Sequence, residues 1–168
     1  FRTLAGYFTR LETQSRTTIN IGTLVGAGGL RSYVIGDGQR EATAAELEQM
    51  KALVAQEMEE GALGLGTSLQ YVPDRFASTD ELVQLASVVA RYGGSYMTHQ
   101  RSESGQILPS LDEVFTIAER AKVPAETDVS FFHELLRSYP PTPPGASLLP
   151  TDVALLQYTG GTTGTPKG

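Results

Sequence analysis

The sequence contains no cysteine and no tryptophan, and only two of its 168 residues are histidines. Without cysteine, disulfides and thiolate metal sites are excluded. Basic residues are outnumbered, because 13 Lys and Arg face 19 Asp and Glu, and no basic run exceeds two residues. The net charge of −6 therefore argues against a nucleic-acid surface. No run of about 18 apolar residues occurs, so no membrane span is predicted.

The two ends of the chain resemble cut ends. The sequence begins at Phe1 without an initiator methionine or a signal peptide, and it stops inside a glycine-rich stretch. We therefore expect a cytoplasmic protein of one domain, or of one domain plus a fragment. A hydrophobic fraction of 40% is ordinary for a chain that buries a core.

A helix-and-strand pattern repeats along the first 126 residues. Three Ser/Thr-x-x-Glu capping boxes begin at Thr43, Ser78 and Ser110, each followed by apolar residues at helical spacing. Short apolar runs at 62–65 and 95–98 follow glycines that would stop the preceding helices. These features predict strands between helices, at intervals typical of βα units with parallel strands.

The first quarter of the chain fits the same scheme. Residues 1–15 predict an amphipathic helix, and residues 18–25 are rich in β-branched side chains and predict a strand. Glycines 26, 28 and 29 are expected to form a tight turn, since they fit no dinucleotide fingerprint. The fold class is therefore α/β, a partial (β/α) barrel of three to four units. A closed barrel needs about 250 residues.

The pattern changes after residue 126. Residues 128–137 predict one helix, residues 140–145 form a proline-rich linker, and residues 152–158 predict a strand. The predicted organisation is a partial barrel at 1–126, a helix and linker at 127–150, and a strand-plus-loop fragment at 151–168.

The first candidate for chemistry is His99, in the stretch YMTHQRSE at residues 96–103. It follows a predicted strand, where barrels of alternating strands and helices place catalytic groups. A histidine there can hold a metal or transfer a proton near neutral pH. A hydrogen-bonded structural histidine is the alternative.

Several spaced segments together carry a family resemblance. They are LVGAGGLR at 24–31, MEEGALGL at 58–65, YVP at 71–73, FASTDEL at 76–82, RYGG at 91–94 and YMTHQRSE at 96–103. In this order they resemble the N-acyl-D-amino-acid deacylases, or D-aminoacylases, of the amidohydrolase superfamily. The resemblance implies a metal-dependent barrel with a small β-domain that hydrolyses the amide of an N-acyl-D-amino acid.

The resemblance also implies roles for individual residues. His99 matches a metal-ligand histidine of the family, with zinc as the metal, and Tyr71 matches a tyrosine that contacts the small-molecule substrate. For Arg101 the resemblance supplies no role; from its position two residues past His99, it is a candidate for facing a substrate carboxylate, or for pairing with Glu103 or a strand-end carbonyl. A zinc-bound water loses its proton near neutral pH and attacks the carbonyl.

The sequence also departs from that family. The family takes further ligands from segments before residue 1 and from a histidine-bearing strand just beyond Val123 and Pro124. Here the following residues read AETD, and the second histidine, His133, matches nothing. A working site needs three or more protein ligands. We therefore expect an incomplete metal site and no turnover by the chain as it stands.

A second resemblance lies at the C-terminus, in DVALLQYTGGTTGTPKG at 152–168. This stretch resembles the phosphate loop of adenylate-forming enzymes, notably the long-chain acyl-CoA synthetases, which implies binding of ATP with Mg²⁺. Glycines let the backbone approach a polyphosphate, and hydroxyls and a lysine bind it. The implied phosphate-binding residues are Thr159, Gly160, Gly161, Thr162, Thr163, Gly164 and Lys167.

The simplest interpretation of both resemblances is a chimeric chain with a join near residues 126–127. Three classes of function stay open: a metal-dependent amidohydrolase fragment, an ATP-dependent acyl-CoA synthetase fragment, and a non-catalytic fusion product. The last class would self-associate through exposed strand edges.

Overall fold

A computed structural model describes residues 3–15, 19–124 and Ser138. The chain divides into two units, Phe1–Glu126 and Thr127–Gly168, and every described residue except Ser138 belongs to the first. The helix predicted at 128–137, the linker at 140–145, the strand at 152–158 and the phosphate loop lie outside the described residues.

The first unit alternates helices and strands. Its elements in chain order are α1 (Leu4–Arg10), which continues into a π-helical turn (Leu11–Ser15), β1 (Val25–Gly26), α2 (Ala27–Val34), α3 (Ala44–Glu59), β2 (Gly64–Ser68), a 3₁₀ turn (Asp74–Phe76), α4 (Thr79–Arg91), β3 (Ser95–His99) and α5 (Ile107–Ala121). The strands form one sheet in the order β1-β2-β3.

Both strand pairings are parallel, as the repeating βα pattern predicts. Val25 lies opposite Leu65, and the β2–β3 register runs through to Ser68 opposite His99. Parallel neighbours require a crossover, which α3 and α4 provide. The α/β class with a partial barrel-type sheet is therefore confirmed.

Two of the three predicted helix starts are found. Thr43 and Glu46 form a reciprocal capping box at α3, and the Ser78 hydroxyl accepts from the Glu81 N–H at α4. The cap predicted at Ser110 is wrong, because the cap position of α5 is Gln106, four residues earlier, and the Ser110 N–H donates to the Gln106 carbonyl. Pro109 is tolerated there because N–H groups in a first helical turn have no intrahelical acceptor.

The glycine-rich stretch after β1 is not the tight turn that its composition predicts. The strand is only two residues long, and Gly28 and Gly29 already belong to α2. The residues described at 19–24 form no strand. Glycine suits this helix start because a Cβ on Gly28 would lie 2.9 Å from Oδ1 of Asp74.

The core lies between the sheet and the helices α3, α4 and α5. Its side chains recur at helical spacing and are almost fully buried: Met50, Val54, Leu82, Leu85, Val89 and Ile117, with Leu65 from the sheet. β3 is less covered than β2, and Met97 on it is exposed. Within the described residues, no helix has both the length and the apolar character to cross a membrane.

Candidate functional site

The carboxyl ends of the three parallel strands line one cavity of about 650 Å³. Gly26 at the end of β1, Ser68 at the end of β2 and His99 at the end of β3 all contribute to its wall. Tyr71 and Asp74, from the loop after β2, complete one side. The parallel topology thus brings the predicted residues Tyr71 and His99 to one edge of the sheet.

His99 is held by its backbone and touched by two side chains. Its carbonyl accepts from the Leu69 N–H at 2.8 Å, which extends the β2–β3 pairing by one step. Its ring meets the Tyr71 ring edge-on, with centroids 5.4 Å apart. Nδ1 lies 3.0 Å from Oε1 of Glu103, yet it makes no aligned hydrogen bond with any described residue. The imidazole is therefore close to a carboxylate without being held by it.

Tyr71 is placed by a series of backbone turns. Its N–H donates to the Ser68 carbonyl, and its own carbonyl accepts from the Arg75 N–H, both at 2.9 Å. The side chain is exposed and forms part of the cavity wall. Its position beside His99 fits the substrate contact that the sequence predicts, and that contact stays a prediction.

Asp74 is a member of the site that the sequence reasoning missed. Its side chain is only 4% exposed; Oδ2 accepts from the Ser68 N–H at 2.7 Å, and Oδ1 accepts from no described residue. Burial raises the pKa of Asp74, and the hydrogen bond from Ser68 offsets part of that rise. The Pro73-Asp74 pair signals a turn in sequence, but nothing there signals burial.

Arg101 does not line the cavity of His99. Its guanidinium donates twice to the Glu113 carboxylate, at 2.8 Å each, and also to the Arg75 and Ala77 carbonyls. Neither partner expected from the sequence is found: the carboxylate is Glu113 and not Glu103, and the two carbonyls belong to the 3₁₀ turn and its end rather than to a strand end. Burial raises the pKa of Glu113, but hydrogen bonds from Arg101 and Thr79 outweigh it and hold that pKa below its ordinary value.

Comparison with known proteins identifies relatives of this chain. Two curated proteins from Alcaligenes xylosoxydans xylosoxydans match: D-aminoacylase, 34% identical over 124 residues, and N-acyl-D-glutamate deacylase, 36% identical over 120 residues. These matches span 74% and 71% of this chain. Over about 74% of its length, the chain is similar in sequence to the D-aminoacylases. It spans about a quarter of the length of these relatives, and no family model matches it.

Solved D-aminoacylase structures share the fold. A crystal structure of D-aminoacylase superposes with a TM-score of 0.69 and 34% identity, over 74% of this chain and 26% of that one. N-acyl-D-glutamate deacylase from Bordetella bronchiseptica, in complex with zinc and a phosphonate inhibitor, superposes with a TM-score of 0.70 over 73% of this chain and 26% of its own. The amidohydrolase-type fold expected from the sequence is thereby supported.

The D-aminoacylase-like residues present do not make a complete metal site. Among the described ranges, no three His, Asp or Glu side chains converge on a point that could hold a metal ion. His99 offers one imidazole, whereas a catalytic zinc needs about three protein ligands. The described residues therefore do not supply enough ligands to hold a catalytic zinc by themselves.

The remaining predicted site residues fall in the second unit. Thr159, Gly160, Gly161, Thr162, Thr163, Gly164 and Lys167, together with His133, lie outside the described residues.

Proposed function

We propose that residues 1–126 are part of a metal-dependent amidohydrolase that cleaves N-acyl-D-amino acids to a carboxylate and a D-amino acid. The observation that carries the proposal is the convergence of Tyr71 and His99 on one cavity at the carboxyl edge of the sheet. Identity of 34–36% to three proteins named for this class of reaction supports it.

In this proposal His99 supplies one ligand of a metal site whose other ligands lie outside the described residues. The Glu103 carboxylate lies 3.0 Å from Nδ1 without an aligned hydrogen bond, so no described contact fixes the tautomer. With its proton on Nδ1, the imidazole would offer the Nε2 lone pair to a metal. Tyr71, which touches the same ring, is proposed to contact the substrate. The chain as it stands is proposed to be inactive.

The substrate is proposed only as a class. The three relatives are named as D-aminoacylase, N-acyl-D-glutamate deacylase and N-acyl-D-aspartate deacylase, at 34%, 36% and 35% identity. Such similar identities favour none of the three amino acids. What the names share is an N-acyl group on an amino acid of D configuration.

A graft tests the proposal. Residues 19–124 replace the matching segment of the Alcaligenes D-aminoacylase, and release of free D-amino acid is measured with N-acetyl-D-amino acids. We expect activity in the graft and a loss of about 100-fold or more in H99A, because even outer-shell changes cost zinc sites about 10–100-fold. E48A, on the exposed face of α3, is the matched control. A folded graft that is as active with H99A as without it would refute the role of His99.

The isolated chain provides a second measurement. After zinc loading and dialysis, we expect elemental analysis to find no bound zinc, because a single imidazole binds the metal too weakly to retain it. One tightly held zinc per chain would contradict the incomplete site.

For residues 127–168 we propose an origin in the phosphate-loop region of an acyl-CoA synthetase, joined to the first unit near 126–127. The motif at 152–168 supports this, and the division of the chain after Glu126 falls at the same place. Proteolysis within the 159–168 loop, measured with and without ATP and Mg²⁺, tests the binding: protection by ATP supports it, and unchanged cleavage counts against it. Coding sequence that runs through the join and completes either enzyme alone would refute the chimeric origin.

A non-catalytic, self-associating product remains the third candidate. Among the described residues, β1 and β3 each pair with a strand on one side only, so that part of the sheet has two edges without a neighbouring strand. Free edges template pairing with other chains. Size-exclusion chromatography at increasing concentration tests this: growth of higher-mass species supports it, and a concentration-independent monomer counts against it.

A further inference from the structure

One arginine connects three segments around the candidate site. Arg101 follows β3, two residues after His99, and its guanidinium reaches α5 through two hydrogen bonds to Glu113. It reaches the loop after β2 through the carbonyls of Arg75, at 2.9 Å, and Ala77, at 3.0 Å. Glu113 in turn accepts from Thr79 at the start of α4. A single side chain thus bonds two neighbouring βα loops and a helix.

The loop that Arg101 contacts is the one that carries Tyr71. Its beginning is fixed to β3 by the Leu69 N–H, which donates to the His99 carbonyl. Its middle is folded by the Asp74 carboxylate, which accepts from the Ser68 N–H. Its last stretch, residues 75–77, is folded back by N–H groups that donate to carbonyls earlier in the loop, and both carbonyls that Arg101 contacts are there. Without Arg101, the loop would keep its internal turns and its Leu69 contact to β3, but residues 75–77 would lose their hydrogen bonds to the segment that follows β3.

The contacts also limit what else Arg101 can bind. A guanidinium has five N–H groups, and four hydrogen bonds are already made within the protein. The paired bonds to Glu113 are the geometry that the planar guanidinium matches and that a lysine ammonium cannot reproduce. The remaining N–H group is too few for paired recognition of a substrate carboxylate.

We propose that Arg101 is a positioning residue, which holds the Tyr71 loop so that the Tyr71 ring lies edge-on against His99. This replaces the substrate-carboxylate contact considered from the sequence. The importance of the Tyr71–His99 geometry for catalysis rests on the proposed function, whereas the positioning itself does not.

Nuclear magnetic resonance on the whole chain tests the positioning without any turnover. The chain has only two histidines, so the imidazole region holds two sets of signals, and H133Q identifies those of His99. The ring current of Tyr71 shifts the His99 protons, and Y71A measures that shift. We expect R101A to reproduce most of it, and R101A/Y71A to move the signals no further than Y71A alone.

The controls separate positioning from general stability. R101K, which loses the paired bonds, is expected to move the His99 signals in the same direction as R101A, and E48A is expected to leave them in place. If R101A lowers the melting temperature while the His99 signals stay unmoved, Arg101 is merely structural and the proposal fails. It also fails if the shifts of R101A and Y71A add.

Should R101A fail to fold, E113Q takes its place, because it weakens the paired bonds and leaves the two carbonyl contacts. The His99 signals are then expected to move in the same direction by a smaller amount. If E113Q leaves them unmoved, the proposal is overturned. The graft experiment tests the proposed function, and the comparison of R101A, Y71A and R101A/Y71A tests the positioning. Either can fail while the other succeeds, so the two proposals are tested separately.

Discussion

Replacing Glu81 by alanine would leave a buried arginine without its counter-charge. Arg31 and Glu81 form an ion pair with side chains that are only 1% and 3% exposed. Glu81 also accepts from the Ala42 N–H, and the Arg31 guanidinium also donates to the Arg40 carbonyl. The pair therefore fixes α2, the 40–42 segment and α4 to one another, and E81A removes the centre of that arrangement.

The expected loss is large relative to the stability of a small domain. Removing one partner of a buried pair costs about 3–5 kcal/mol, because the remaining charge stays desolvated. Total unfolding free energies are about 5–15 kcal/mol, so E81A should leave the fold marginal. The exposed pair of Lys51 with Glu48 gives a contrast, since surface pairs contribute about 0–1 kcal/mol.

Urea unfolding at pH 7, followed by circular dichroism at 222 nm, measures both losses. If E81A has no folded baseline, E81Q replaces it with an expected loss of about 1.5–3 kcal/mol, the range for hydrogen bonds to charged groups. The double variant R31M/E81L removes both charges and should recover most of the stability. The reasoning is refuted if E81A costs no more than E48A, or if R31M/E81L is as unstable as E81A.

Three further changes test other parts of the fold. Burial raises the pKa of Asp74 in the folded protein. The free energy of unfolding of the wild type, relative to that of D74N, should therefore fall as the pH rises from the ordinary pKa of 3.8 through the raised pKa of the folded state. A difference in unfolding free energy that does not change with pH in urea titrations would contradict this. G64A should lower the free energy of unfolding by about 1–3 kcal/mol or more, because the added Cβ would lie 2.0 Å from the Ser95 carbonyl oxygen. An unchanged melting temperature would contradict this, since it would mean that the backbone shifts to make room for the Cβ. S78A should lower the free energy of unfolding by about 1 kcal/mol in the same urea assay, because α4 loses its N-terminal cap. An unchanged free energy of unfolding would contradict this.

The sequence predicts well what local interactions decide. The Thr43 box and the Ser78 cap start α3 and α4 where expected, because the cap and its backbone partner are three residues apart. The strand at 95–98 is found with one further residue, His99. A histidine at the end of a parallel strand must then lie at the carboxyl edge of the sheet, so the placement of His99 follows from the order of elements alone.

What the sequence does not predict depends on tertiary contacts. Ser110 and Glu113 have the spacing of a capping box, yet Glu113 is drawn to Arg101 and the helix starts earlier. Glu81 has the same spacing after Ser78, but its carboxylate turns inward to Arg31. In both cases a glutamate expected at a helix cap forms an ion pair with a distant arginine. The burial of Asp74 has the same origin, because it depends on the approach of α2.

Each of these two arginines joins neighbouring βα units. The side chains of Tyr71, Val72 and Met97 around the cavity are exposed, so hydrophobic burial contributes little to holding the loops there. Directional contacts hold the loop after β2: its own backbone turns, the Asp74 carboxylate and Arg101. Arg31 joins α2 to α4 through Glu81. Such contacts fix orientation more than they add stability, since desolvation offsets much of the attraction. A substitution at Arg101 should therefore disturb the geometry of the site even where the fold keeps its stability.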